Sequence, residues 1–204
     1  MNINTEPISQ VNMTESAGTN IFLKEVLTGL KATPKYLQSK YFYDAAGDKI
    51  FQQIMHSPEY YPTNCELEIL SYQTREILNS ITERHSCFDL IELGAGDALK
   101  SSYLLKGLVE NKIDFTYYPI DISENVIGNL NKNLPQQIPG ISIQGLNGEY
   151  FKMLEKAKSL SSNPKVILFL GSNLGNMLPE DALKFCVKLK EHLSPGDFLL
   201  IGLD

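Results

Sequence analysis

Residues 91–101 read IELGAGDALKS: an apolar run closing on an acid, two glycines one residue apart, then a lysine. Gly94 and Gly96 let the backbone turn sharply and come close to a ligand, and a following helix offers N–H groups that lack partners inside the helix. A dinucleotide fingerprint wants a third glycine where this chain has Leu99, and a phosphate loop wants a glycine directly before Lys100. What is left is E-x-G-x-G at the end of a strand, or a merely tight strand-to-helix turn.

Around this stretch, apolar runs alternate with helical patterns. Strand-like runs fall at 88–93, 115–120, 141–146, 165–170 and 197–203, and helical ones near 99–111, 124–134, 150–158 and 179–193. That alternation predicts an α/β fold, a Rossmann-like parallel sheet with helices on both faces and ligands at the carboxyl ends of its strands. Upstream the character changes. Residues 1–17 are polar and aperiodic and are expected to be loosely ordered. Ile21, Phe22, Val26, Leu27 and Leu30 mark a helix from Asn20, and Ile50, Phe51, Ile54 and Met55 a short one ending before Pro58. Thr63 and Glu66 have capping-box spacing, ahead of a helix whose buried face is Leu67, Leu70, Thr74, Ile77, Leu78 and Ile81. The expected organisation is an N-terminal helical segment over 1–84 and a Rossmann-like domain over 85–204.

Composition narrows the function. The 204 residues are 43% hydrophobic and 21% charged with a formal net charge of −6, which argues against a nucleic-acid or anionic-membrane surface. No signal-peptide pattern and no apolar run of about 20 residues is present, so a cytoplasmic protein acting on a small molecule is expected. Cys65, Cys87 and Cys186 are odd in number and lack metal-ligand spacing, and His85 beside Cys87 has no second pair, so neither disulfide nor metal is expected. His56 and His192 fall at expected helix ends and read as surface residues.

The remaining strand ends carry further chemistry. Asp121 closes YYPIDIS, where an acid can accept both ribose hydroxyl protons; nicotinamide dinucleotide and S-adenosylmethionine (SAM) sites share this feature. In NGEYF, Glu149 offers an acceptor for an adenine amino group and Tyr150 an aromatic edge, although Glu149 reads equally well as a solvated acid at a helix start. FLGSNLGN, residues 169–176, sets Gly171 and two asparagines directly after a buried strand. Asn176 can accept a hydrogen bond from a substrate amine; the plainer reading is a cap for the helix starting at Pro179.

Four segments, KYFYDAAGDKIFQQIMHSPEYYPT, IELGAGDALKS, PIDIS and FLGSNLGNMLPEDA, together resemble the histidine-specific SAM-dependent methyltransferases of ergothioneine synthesis and their relatives, which methylate amino-acid amines. The resemblance covers about residues 20–204, and its tyrosine-rich first segment is specific, since generic methyltransferases lack it. It implies that Gly94, Gly96, Lys100, Asp121 and Gly171 line the SAM site, with Lys100 reaching the methionine carboxylate. Glu149-Tyr150 stands where the family usually shows Asp-Phe, and Asn173 where a threonine is common. Tyr60 and Asn176 are implied to hold the amino-acid end of the substrate, with Tyr43 close by; Tyr61 reads as a packing residue.

Such chemistry asks little acid-base machinery of the protein, because the cofactor carries its own electrophile. The chain has to align a neutral amine, exclude water and tolerate a cationic product through aromatic faces. Family members continue well past position 204 with further strands, so the resemblance implies either a truncated form or a fifth strand whose open edge pairs with another copy in a homo-oligomer. A non-catalytic SAM-binding module or inactive fragment is the alternative; a nicotinamide oxidoreductase is opposed by Leu99.

Overall fold

The structure is a computed structural model and describes residues 17–38, 41, 45–57 and 59–203. Its contacts divide the chain into two units, residues 1–42 and 43–204. In the first, helix α1 spans Ala17–Lys31, starting three residues ahead of Asn20. The chain then folds back at Gly29, whose carbonyl accepts the N–H groups of Ala32 and Tyr36. A side chain at Gly29 would collide with the Tyr36 carbonyl. The Tyr41 hydroxyl donates to Glu25, and its ring meets Phe22 edge-on at 4.8 Å.

The second unit opens with helices α2 (Ala45–Met55), α3 (Tyr61–Tyr72) and α4 (Thr74–Thr82). Strands and helices then alternate as β1 (Cys87–Leu93), α5 (Ser102–Glu110), β2 (Asp114–Asp121), α6 (Glu124–Gln137), β3 (Leu146–Asn147), α7 (Tyr150–Leu160), β4 (Lys165–Phe169), α8 (Pro179–His192) and β5 (Phe198–Ile201). All pairings are parallel, in the order β3-β2-β1-β4-β5. Chain order therefore reverses between β1 and β4, and the crevice above that reversal is where doubly wound sheets receive ligands.

Strand periodicity splits the core in two. Phe88 and Leu90 of β1, Tyr117 of β2, and Val166 and Leu168 of β4 face one side, where Leu70, Leu78, Ile81, Leu104 and Leu108 cover them. The odd-numbered Ile91, Leu93, Ile167 and Phe169 face the other side, against Leu154 and Ala157 of α7 and Phe185 and Leu189 of α8. Burial on both faces explains why β1 and β4 read as continuous apolar runs.

Three expectations are corrected. Helix α3 starts at Tyr61, with Pro62 in its first turn and no side-chain cap from Tyr60, so Thr63 and Glu66 are interior helical residues and not a capping box. Proline is tolerated where its missing N–H needs no partner, and this moves the start upstream of Thr63. The helix expected to run on from Leu67 also breaks at Gln73 into α3 and α4. The third strand is two residues, not 141–146; only an isolated bridge joins Ile143 to Tyr117. The Gly145 N–H is held at 2.9 Å by Asn131 of α6, which ties that stretch to the helix in place of the β2 ladder.

Candidate active site

The turn after β1 is built by its neighbours. Gly94 and Gly96 have φ of 74° and 55°, left-handed values that glycine adopts without side-chain strain. The N–H groups of Gly94 and Ala95 both donate to the Ile120 carbonyl, and that of Gly96 to Asp121 Oδ2 at 3.1 Å. Asp121 Oδ1 accepts the Ser123 N–H at 2.9 Å, while the Ser123 hydroxyl caps α6 by accepting from the Val126 N–H. The acid at the end of β2 and the glycine turn after β1 are thus one hydrogen-bonded unit.

Tyr150, at the start of α7, leans its ring edge-on against Phe169 and Phe185 and puts its hydroxyl over Gly94. A Cβ at Gly94 would lie 2.8 Å from that oxygen, whereas one at Gly96 would meet nothing within 4 Å. The space above Gly96 is open. Glu149 precedes Tyr150 as the residue capping α7, without a side-chain cap bond.

Lys100 lies at the same end of the sheet, and its ammonium pairs with Glu66 of α3. The Glu66 carboxylate also accepts the Gly171 N–H, at 2.7 Å and 2.9 Å to its two oxygens. Asn173 donates to the Leu170 carbonyl at 2.7 Å, which places its amide beside both Gly94 and Gly171. Asn176 is exposed in the turn that follows. The residue capping α8 is Leu178, so the plainer reading of Asn176 as that helix's cap is set aside. Tyr60 immediately precedes α3, half-buried, its ring centroid 6.5 Å from that of Phe51. Tyr43 lies outside the described residues.

Beneath these groups Glu92 is buried at the end of β1 and accepts the Tyr117 hydroxyl at 2.5 Å. Burial pushes its carboxyl up to about 7, against the opposing pull of hydrogen bonds from Tyr117 and Ser101 and of the Lys100 charge. Burial and the neighbouring Glu92 drive the Tyr117 hydroxyl well above its ordinary range. The sequence assigns neither Glu66 nor Glu92 a site role: Glu92 is one acid within the strand that precedes the glycine turn, and Glu66 has the spacing of a capping-box acid. Helical spacing was the available signal. Within α3, Thr63, Glu66 and Leu70 follow one another at three and four residues, so they share the face that Leu70 turns to the core. On that face the Thr63 hydroxyl oxygen is buried with no hydrogen-bond partner among the described residues.

The geometry suits an adenosyl amino-acid cofactor. An open glycine turn, an acid at the end of β2, an aromatic edge and a lysine converge on the switch point, and an orphaned hydroxyl lies on the neighbouring helix. Among the described residues no group of three or more His, Cys, Asp or Glu side chains could hold a metal ion, and no helix is long and apolar enough to cross a membrane.

The five-stranded parallel sheet with its flanking helices is a Rossmann-like α/β fold. A family described as histidine-specific methyltransferase, SAM-dependent, matches residues 22–204, and the chain belongs to that family. Among curated proteins it is similar to a histidine N-alpha-methyltransferase of Mycolicibacterium smegmatis, 34% identical over 89% of this chain and 54% of the relative. It is also similar to that of Mycobacterium tuberculosis, 32% identical over 93% and 57%, and to a 4-dimethylallyltryptophan N-methyltransferase of Claviceps purpurea, 25% identical over 89% and 54%. The chain spans about half the length of these curated relatives.

Proposed function

We propose that this chain is a SAM-dependent N-methyltransferase acting on the α-amino group of an amino acid, histidine or a similar one. The observation that carries this reading is the convergence of the Gly94–Gly96 turn, Asp121, Tyr150 and Lys100 on the β1/β4 switch point, within a family described as SAM-dependent. The bound cofactor supplies an activated methyl group. The chain's own task is then to bind and orient.

In this proposal Asp121 accepts from the ribose hydroxyls, Glu149 and Tyr150 border the adenine, and Lys100 faces the methionine carboxylate. Gly94, Gly96 and Gly171 keep the backbone close to the ligand, as residues with a side chain would not. Residues 1–84 contribute to substrate binding through Tyr43 and Tyr60. Asn176 accepts a hydrogen bond from the substrate amine, which fixes the direction of its lone pair. Orientation of this kind contributes up to several kcal/mol to a bimolecular transfer. The phenols of Tyr43 and Tyr60 favour the cationic product by about 0.5–2 kcal/mol.

Two measurements on this chain test the reading. Calorimetric titration with SAM is expected to give affinity on the order of micromolar. Incubation with methyl-labelled SAM and a panel of amino acids is expected to label histidine or a close analogue. Binding without any transfer would favour a SAM-binding module, and no binding would overturn both.

A further inference from the structure

Glu66 has no place in the reading above, yet it joins three parts of the site. Its side chain is 10% exposed, and its carboxylate holds the Lys100 ammonium together with the Gly171 N–H. It therefore ties α3, the helix that begins just after Tyr60, to the loop after β1 and to the loop after β4. Room is left for it. A Cβ at Gly202 would collide with Glu66 Oε1, and Gly202 is held in place by its own N–H bond to the Phe169 carbonyl at 2.9 Å. Among the described residues Lys100 has this carboxylate as its hydrogen-bonding partner.

A lysine ammonium on a four-carbon stem loses much rotamer freedom when a ligand immobilises it, and a lysine already fixed does not lose it again. Sharing the Glu66 charge with the Gly171 amide leaves the ammonium free to gain a second anion. We propose that Glu66 is a positioning residue for the amino-acid end of the cofactor: it presets Lys100 and the Gly171 turn for the ligand's carboxylate. The proposal rests on the SAM reading and adds to it a residue that acts through Lys100.

The test compares two ligands that differ in the amino-acid end, where Glu66 would act, and in the sulfonium charge that SAM alone carries; the Lys100→Met background separates the two. The full chain and Glu66→Gln are titrated calorimetrically with SAM and with 5′-methylthioadenosine, which lacks the amino-acid end. Glu66→Gln is expected to weaken SAM about tenfold and to change 5′-methylthioadenosine by less than about twofold. In a Lys100→Met background it should add nothing to the loss of SAM affinity, since the coupling runs through that lysine. Equal losses on both ligands would show a merely structural role and overturn the proposal, as would unchanged or tighter SAM binding. Glu66→Asp, which keeps the charge but withdraws it by one methylene, carries the same comparison if the glutamine variant unfolds. A wild-type chain that bound no SAM would bring down the methyltransferase reading as well, whereas normal SAM binding by Glu66→Gln would remove this role alone.

Discussion

At the amino-terminal end of the sheet Lys165 donates to Asp89 at 2.7 Å and to the carbonyls of Ser161 and Asn163 at 2.9 and 2.6 Å, so all three of its N–H bonds are used. Asn163 in turn donates to the other oxygen of Asp89, and Asp197 takes the N–H groups of Lys165 and Ser194. At the carboxyl end Lys100 meets one carboxylate among the described residues, beside a left-handed glycine turn and above a buried acid that holds its proton to about pH 7. Both ends set a lysine against a buried carboxylate, with Lys165 itself buried and Lys100 partly exposed. The saturated pair closes the bottom of the sheet, while the other retains donor capacity where a ligand would enter. A polar cavity of about 340 Å³ also lies at the amino-terminal end, walled by His85, Lys158 and Lys165. Its lysines already serve Asp89 and the carbonyls of Ser161, Asn163 and His192, so concavity there does not mark the chemistry.

Breaking the saturated pair should have the largest effect. Asp89→Ala leaves the ammonium of Lys165 uncompensated inside the protein, and urea unfolding should show a loss of about 3–5 kcal/mol. A loss below about 1 kcal/mol would show that the two ends differ less than the geometry says.

The buried acid comes next. The folded protein holds the Glu92 proton up to about pH 7, against 4.5 for an ordinary glutamate, so the native state binds more protons between those values. This group's contribution to stability therefore falls as pH rises from about 4.5 to about 7, by at most about 3 kcal/mol. Glu92→Gln, measured against the wild type by unfolding across that range, should remove this fall; parallel profiles would contradict it.

Smaller effects are expected at the open turn. Asp121→Ala should weaken SAM at least about tenfold, or roughly 1.4 kcal/mol, by removing the proposed ribose acceptor and loosening the Gly96 turn it anchors. Unchanged affinity would sink that assignment. The exposed Lys184–Asp181 pair marks the lower limit: Asp181→Asn should shift stability by less than about 1 kcal/mol, because solvent screens it.

The amino-acid sequence by itself determined the alternation of strands and helices, the parallel sheet, and the glycine turn with its downstream acid. Those features rest on periodicity and local conformational preference, which neighbours along the chain set. It also carried the family, through motifs that are contiguous. Where local signals conflicted, they misled: Thr63 and Glu66 had cap spacing, but Pro62 placed the helix start ahead of them and turned Glu66 inward. Only the tertiary structure decided that Glu66 joins Lys100 and Gly171, that Tyr150 stands over Gly94, and that Lys165 rather than Lys100 is the saturated lysine. These partners are separated by tens of residues, and what brings them together is the crossover order of the sheet, whose energy lies in two buried faces and not in any one segment.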